Sequence, residues 1–229
     1  MSFVGWIKRL VPGPLKASIR EMRRRRRFRR AFDRYRNLPT TSDPAADVVA
    51  ELVAAWGNEG FSSLNEYIFA FIRHARQTPG PILECGSGLS TLLLGLEAER
   101  RGIKVWTLEH HPEWAERMRQ ELTTCGITSV EFCQAPLRAY GEFAWYDPPL
   151  DRMPSDFSLV ICDGPPGDTL GGRYGMVPIM KPRLQPGCVI LLDDYERADE
   201  QTAAARWVVE TGAALERYGD AKPYALLRL

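Results

Sequence analysis

Along this chain, short apolar runs alternate with longer stretches in which apolar residues return every three or four positions. The runs fall at 81–85, 104–109, 130–134, 157–162 and 188–192. Each is short enough for a strand and is bounded by glycine, proline or an acid. Between them the helical spacing predicts helices over about 90–101, 112–125, 175–184 and 198–211, the third interrupted by Pro178 and Pro182, with a turn at Gln185-Pro186-Gly187. Two further strands, 214–218 and 224–229, close the pattern. Strands alternating with helices predict a parallel sheet with crossover helices, an α/β fold. The stretch 141–149 is read as a loop, with Phe143, Trp145 and Tyr146 as packing residues.

Two helices precede the sheet and are expected to cover one of its faces. Asp43-Pro44 is an N-cap followed by a first-turn proline, and Val48, Val49, Leu52, Val53 and Trp56 form a stripe that stops at Gly57-Asn58. Ser63 and Glu66 form a capping box for a helix to about Gln77, with Leu64, Tyr67, Ile68 and Phe71 inward.

A chain of 229 residues with 45% hydrophobic content suits one domain, or one domain with an appendage. Its apolar runs fall well short of the ~20 residues of a membrane span. Five scattered cysteines, 85, 125, 133, 162 and 188, without a C-x-x-C pair, read as reduced core thiols of a cytoplasmic protein. The net charge of +1 conceals an asymmetry. Residues 1–40 carry 13 Lys+Arg against 2 acids, or +11, whereas 41–229 carry 17 against 27, or −10. The chain thus divides into a basic arm, 1–40, with a helix over 19–36, and an acidic domain, 41–229. Phe3, Val4, Trp6, Ile7 and Leu10 at its start are too few for a signal-peptide core. The arm suits an anionic membrane surface, which would make the protein peripheral there, or nucleic acid. The competing reading is a solvated arm folded on its own acidic domain or on a second subunit of a homo-oligomer.

Chemistry concentrates where strands end. The first strand gives Glu84-Cys85-Gly86-Ser87-Gly88, and Ser90 or Thr91 then caps a helix. Glycines at 86 and 88 permit a tight turn with positive φ and close approach of a ligand. A dinucleotide fingerprint would place a third glycine where Thr91 stands. An acid ahead of the turn is a poor neighbour for a pyrophosphate and suits an amine or a sulfonium. Glu109, 25 positions after Glu84 and at the end of the second strand, is placed to hold ribose hydroxyls. Asp163, Asp193 and Asp194 end the fourth and fifth strands.

The stretch Glu84-Cys85-Gly86-Ser87-Gly88 resembles the first motif, acid-x-Gly-x-Gly, of class I S-adenosylmethionine-dependent methyltransferases. The resemblance covers roughly 60–229 and leaves the arm aside. It implies a Rossmann-like, doubly wound, mostly parallel seven-stranded sheet with an antiparallel last strand, helices on both faces and a helical N-terminal extension. It implies S-adenosylmethionine as cofactor, held by Glu84, Gly86, Ser87, Gly88, Ser90, Glu109, His110 and Asp163. Leu191-Leu192-Asp193-Asp194-Tyr195 is similar to the metal-dependent macrocin and catechol O-methyltransferases. That likeness implies Mg²⁺ on Asp163, Asp193 and Asp194 and methyl transfer to an oxygen of a small molecule or sugar. The same acids also read as turn and helix-capping residues. The catechol enzymes carry a basic lysine three residues after the strand-four acid, and Pro166 stands there in this chain. Besides Asp163, the candidates for catalysis are then His111 and Tyr195, with His110 beside them. Asp147-Pro148-Pro149 looks like the motif of nucleic-acid amino-methylating enzymes, but it precedes the fourth strand and lacks the aromatic. Aminopropyl transfer on the same fold, or a non-catalytic binding module with a basic tether, are the alternatives.

Overall fold

The computed structural model describes residues 13–41, 43–57 and 65–229. The apolar positions 3–10, Ser42, Asn58, Ser63 of the capping box and Leu64 lie outside them. The chain forms two compact units, residues 1–62 and 63–229.

In the first unit α1 (Gly13–Arg36) and α2 (Ala46–Trp56) pack on each other. α1 buries Phe28, Ala31, Phe32 and Tyr35, and α2 buries Val48, Val49, Leu52, Ala55 and Trp56. The Phe28 and Trp56 rings meet at 5.3 Å. Arg34 reaches Asp47 and Glu51 at 2.9 Å each. The α2 stripe is therefore spent on α1, and α2 starts after Ala45 rather than at Asp43-Pro44.

The second unit opens with α3 (Asn65–Gln77), followed by β1 (Ile82–Cys85), α4 (Leu89–Arg101), β2 (Val105–Glu109), α5 (Pro112–Cys125) and β3 (Val130–Gln134). A small hairpin, β4 (Leu137–Ala139) and β5 (Ala144–Tyr146), precedes β6 (Phe157–Cys162). Then come α6 (Met176–Met180), β7 (Leu184–Leu192), α7 (Ala198–Thr211), β8 (Ala214–Tyr218) and β9 (Tyr224–Arg228). The seven-stranded sheet runs β3-β2-β1-β6-β7-β9-β8, with β9 antiparallel to both neighbours. The chain winds outward from β1 to β3, returns to β6 beside β1, and winds outward the other way. Right-handed crossovers then set helices on both faces. β6 is buried at all six positions because both of its faces are covered.

Two expectations change. The 141–149 loop contains β5, paired antiparallel with β4; its three-residue strands carry too little alternation to be read from sequence. Phe143, Trp145 and Tyr146 do enter the core. The Gln185-Pro186-Gly187 turn lies inside β7 as an irregularity: Phe157 pairs with Leu184, but Leu159 pairs with Val189. Gly187 takes φ 80°, open to glycine without strain. Helix α6 stops at Met180, where a 3₁₀ turn, Lys181–Arg183, takes over around Pro182.

Candidate functional site

Reversal of the strand order opens a crevice between the C-terminal ends of β1 and β6. There the two strand ends touch. Asp163 N donates to Cys85 O at 3.0 Å, and Gly86 N donates to Leu108 O at 3.0 Å. Gly86 adopts φ 89°, and a Cβ on it would lie 3.3 Å from the Asp163 carbonyl carbon and the Gly164 nitrogen. Its missing side chain thus serves the packing of two strand ends. Gly88 differs from expectation: its φ of −179° is extended backbone available to any residue. A Cβ there would meet nothing within 4 Å, so the turn is open to a ligand at Gly88. Thr91, not Ser90, closes the helix start, its Oγ1 accepting from Gly88 N at 2.9 Å.

The two glutamates part company. Glu109 lies beside the turn, its Oε2 accepting from Ser87 Oγ at 2.6 Å and Ser87 N at 3.3 Å. Its Oε1 accepts from His111 N at 2.8 Å and lies 3.2 Å from His110 Nδ1. Trp114 of α5 adds a bond from Nε1 to Ser87 O at 2.9 Å. Glu84 is fully buried beneath the turn, its Oε2 accepting from Thr107 Oγ1 at 2.7 Å. Burial raises its pKa to about 7, against the pull of the Ser90, Thr107 and Thr91 hydroxyls. It buttresses the turn from below instead of facing a ligand amine.

At the ends of β6 and β7, ligand atoms of Asp163, Asp193 and Asp194 lie within 4.8 Å of one another. The pairing of neighbouring parallel strands accounts for this: Cys162 and Leu192 are register partners, and the acids follow them. Asp194 takes φ 57°, the left-handed region that aspartate tolerates better than most residues. Cations fill the cluster. Arg173 Nη2 sits 3.1 Å from Asp163 Oδ1 and 2.6 Å from Asp194 Oδ2, while its Nη1 donates to Asp193 O at 2.7 Å. Lys222 Nζ lies 3.0 Å from Asp193 Oδ2 and 2.9 Å from Asp194 Oδ1. Arg197 Nη1 reaches Asp194 Oδ2 at 2.9 Å, and buried Glu200 stands 3.6 Å from Arg173 Nε.

The titration behaviour follows the burial and the pairing. Burial and the Asp193 charge raise Asp163 to about 7, against the pull of Arg173. Burial also opposes ionisation of Asp194, yet Arg173 and Lys222 hold it below the usual carboxylate range. Lys222 loses solvation by burial, but Asp193 and Asp194 raise its pKa. Asp163 has the most open carboxylate of the three, 29% exposed against 0% for Asp193 and 7% for Asp194.

The other candidates make other contacts. His111 is exposed and caps α5, its Nδ1 accepting from Trp114 N at 3.3 Å. β2 lies two strands from β6, roughly 10 Å away, so His111 is a helix cap and no partner of the acid cluster. Tyr195 is held by its backbone, N to Pro223 O at 2.9 Å and O from Gln201 Nε2 at 3.0 Å, and packs against the core. Asp147 accepts from Arg138 and Tyr140 at 3.4 Å each at the foot of the β4–β5 hairpin. Arg173 and Lys222 escape the sequence reading. Arg173 leaves one trace, a single charge before the apolar 174–180; Lys222, in a polar loop, leaves none.

The three donors are hard oxygens of the kind Mg²⁺ takes, and the Lys222 ammonium marks where a cation sits among them. The open backbone at Gly88 beside the Glu109 carboxylate fits a ligand carrying a ribose. Sheet order, crevice and glycine turn define the class I fold of S-adenosylmethionine-dependent methyltransferases. Residues 83–195 match the family model described as a methyltransferase domain. The stretch that they form is a methyltransferase domain, and it has the fold of the S-adenosylmethionine-dependent enzymes.

Solved structures agree in fold. The S-adenosylhomocysteine-bound methyltransferase PaMTH1 of Podospora anserina superposes with a TM-score of 0.57 at 14% identity, over 96% of this chain and 97% of that one. A putative caffeoyl-CoA O-methyltransferase from Staphylococcus aureus gives 0.57 at 13% identity, over 81% and 93%. The O-methyltransferase TomG of Streptomyces achromogenes, in complex with S-adenosylmethionine, gives 0.50 at 17%, over 73% and 81%. Comparison with curated protein sequences finds no match. Among the described residues no helix is long and apolar enough to cross a membrane.

Proposed function

We propose that the domain transfers the methyl group of S-adenosylmethionine to an oxygen of a small molecule or sugar. The observation that carries this reading is Asp163, an open carboxylate fixed to the lip of the glycine turn by its N–H bond to Cys85. As the new carbon–oxygen bond forms and the carbon–sulfur bond breaks, a hydroxyl acceptor must lose its proton. Asp163 is the group placed to receive it. Arg173 holds Oδ1 of Asp163 and fixes the carboxylate, leaving the second oxygen for the acceptor. Alignment supplies much of the rate, because bound groups meet without a further loss of freedom.

Glu109 would take the ribose hydroxyls, accepting from them at the carboxylate to which Ser87 Oγ donates. Gly88 leaves room for the cofactor, and Gly86, Ser90 and His110 shape the walls. Glu84 keeps the turn in place from below. A Mg²⁺ ion would be held by Asp163, Asp193 and Asp194 and would supply a Lewis acid that lowers the pKa of a bound hydroxyl.

Incubation with methyl-labelled S-adenosylmethionine and a panel of phenols, catechols and sugars, each paired with its amine analogue, tests the reading by mass spectrometry of the products. The expected result is label on oxygen, and a loss of about 100-fold or more in kcat for Asp163→Asn with unchanged cofactor affinity. Label only on the amine analogues, or normal turnover by Asp163→Asn, would overturn it.

A further inference from the structure

Arg173 and Lys222 touch the same acids in different ways. Arg173 is 2% exposed and is locked on its inner side by bonds to the Cys162 and Asp193 carbonyls at 3.4 and 2.7 Å. Removing it would strand four buried or half-buried acids. Lys222 comes from the turn between β8 and β9, is 21% exposed, and ends a flexible four-carbon stem. Its ammonium bridges Asp193 Oδ2 and Asp194 Oδ1 at 3.0 and 2.9 Å.

A divalent ion on these carboxylates would need oxygen contacts of roughly 2.0–2.1 Å. It would then occupy the space between the oxygens that the ammonium now bridges. Two cations so close, beside the buried carboxylates of Asp193 and Asp194, repel strongly. Arg173 has nowhere to go; Lys222 does.

We infer that Lys222 is a tethered counter-ion that competes with a divalent cation for the Asp193–Asp194 pair and swings out of the acid cluster when the cation binds. The inference rests on the proposed reading of these acids as the metal-side wall of the site, and it needs no particular methyl acceptor. It makes metal affinity a property of a residue that is not a ligand. It also couples metal loading to the β8–β9 turn, which carries Lys222.

Two measurements on the full chain test it, both independent of turnover. The first is Mn²⁺ binding, followed by calorimetry and by the electron paramagnetic resonance of free Mn²⁺, for the wild type, Lys222→Met and Lys222→Arg. Lys222→Met is expected to bind Mn²⁺ about tenfold more tightly or better, and Lys222→Arg, which keeps the charge, no more tightly than the wild type. The second is acetylation of Lys222 by an amine-reactive ester, read by peptide mass spectrometry on the wild-type protein. Labelling should be slow without metal and rise several-fold with saturating Mn²⁺. Equal affinities in wild type and Lys222→Met, no Mn²⁺ binding by either at millimolar concentration, or labelling unchanged by Mn²⁺ would each overturn the inference. If Lys222→Met melts early, the labelling of wild type decides alone. Failure of methyl transfer to oxygen would leave both readouts intact, so the two readings fail separately.

Discussion

Arg173 Nη2 stands 2.6 Å from Asp194 Oδ2, and both groups are almost wholly buried. Their pairing lets the ends of β6 and β7 carry three adjacent acids. Burial opposes the Arg173 charge, but Asp163, Asp194 and Asp193 hold its pKa above the ordinary arginine value. Arg173→Met should therefore destabilise the domain by about 3–5 kcal/mol, the cost of stranding buried charge. Arg173→Lys should recover only part of that, because an ammonium cannot reproduce the guanidinium fork. Urea unfolding of the three proteins at neutral pH checks the order.

The two glycines of the turn should fail differently. Gly86→Ala puts a Cβ against the Asp163–Gly164 backbone at φ 89°, so it should cost stability, roughly 1–2 kcal/mol. The Cβ of Gly88→Val meets no protein atom within 4 Å, so this variant should melt like the wild type while losing affinity for S-adenosylhomocysteine by about 100-fold or more. Calorimetric titration beside a thermal melt separates these outcomes. A Gly88→Val variant that binds normally would remove the cofactor from this turn.

Glu84 gives a pH prediction with a definite sign. Its pKa rises from 4.5 to about 7 on folding, chiefly through burial. Between those values the native state keeps a proton that the unfolded chain has released, so it binds more protons. Stability from this group is therefore complete below pH 4.5 and is lost as pH rises through about 7. Glu84→Gln lacks that loss. Relative to wild type it should gain on the order of 3 kcal/mol between pH 4 and 8. A difference curve from denaturant unfolding that is flat across this range would contradict the assignment.

The outward face of α1 makes a prediction about surfaces. At helical spacing, Arg23, Arg26, Arg29 and Arg30 lie opposite the buried Phe28–Phe32 side, with exposed Ile19 and Met22 at the N-terminal end of the same face. Basic and apolar side chains together suit an anionic bilayer surface. Replacing these four arginines by glutamine should cost about 1 kcal/mol each in adsorption to phosphatidylserine vesicles, and the wild-type binding should fall steeply with salt. Sedimentation with vesicles measures both. Binding to nucleic acid but not to vesicles would assign the face to the other partner.

The sheet was legible because its strands are unmixed. The run 157–162 is apolar but for Ser158, since β6 is covered on both faces, and an acid stands where the cover ends. Helix α7 announces itself by a stripe and a terminal glycine, and its bounds fall where the spacing puts them. Gly86 and Glu109 follow from local spacing. What could not be read depends on contacts distant in sequence. Arg173 meets Asp194 across 21 residues and Lys222 meets Asp193 across 29, and neither carries a local pattern that says so. His111 looked like a candidate base because histidine commonly is one, and nothing short of the helix start at Pro112 shows that its ring is spent on a cap.

β9 lies between β7 and β8, so the strand that follows Lys222 is inserted into the sheet instead of being added at its edge. Until it docks, β7 has one bare side and the acids at its tip lack the ammonium that the same segment carries. Closing the sheet and balancing the charge at the site are thus a single event in assembly. A partly folded domain of this kind would be recognisable by an unguarded strand edge beside acids that lack one of their cations.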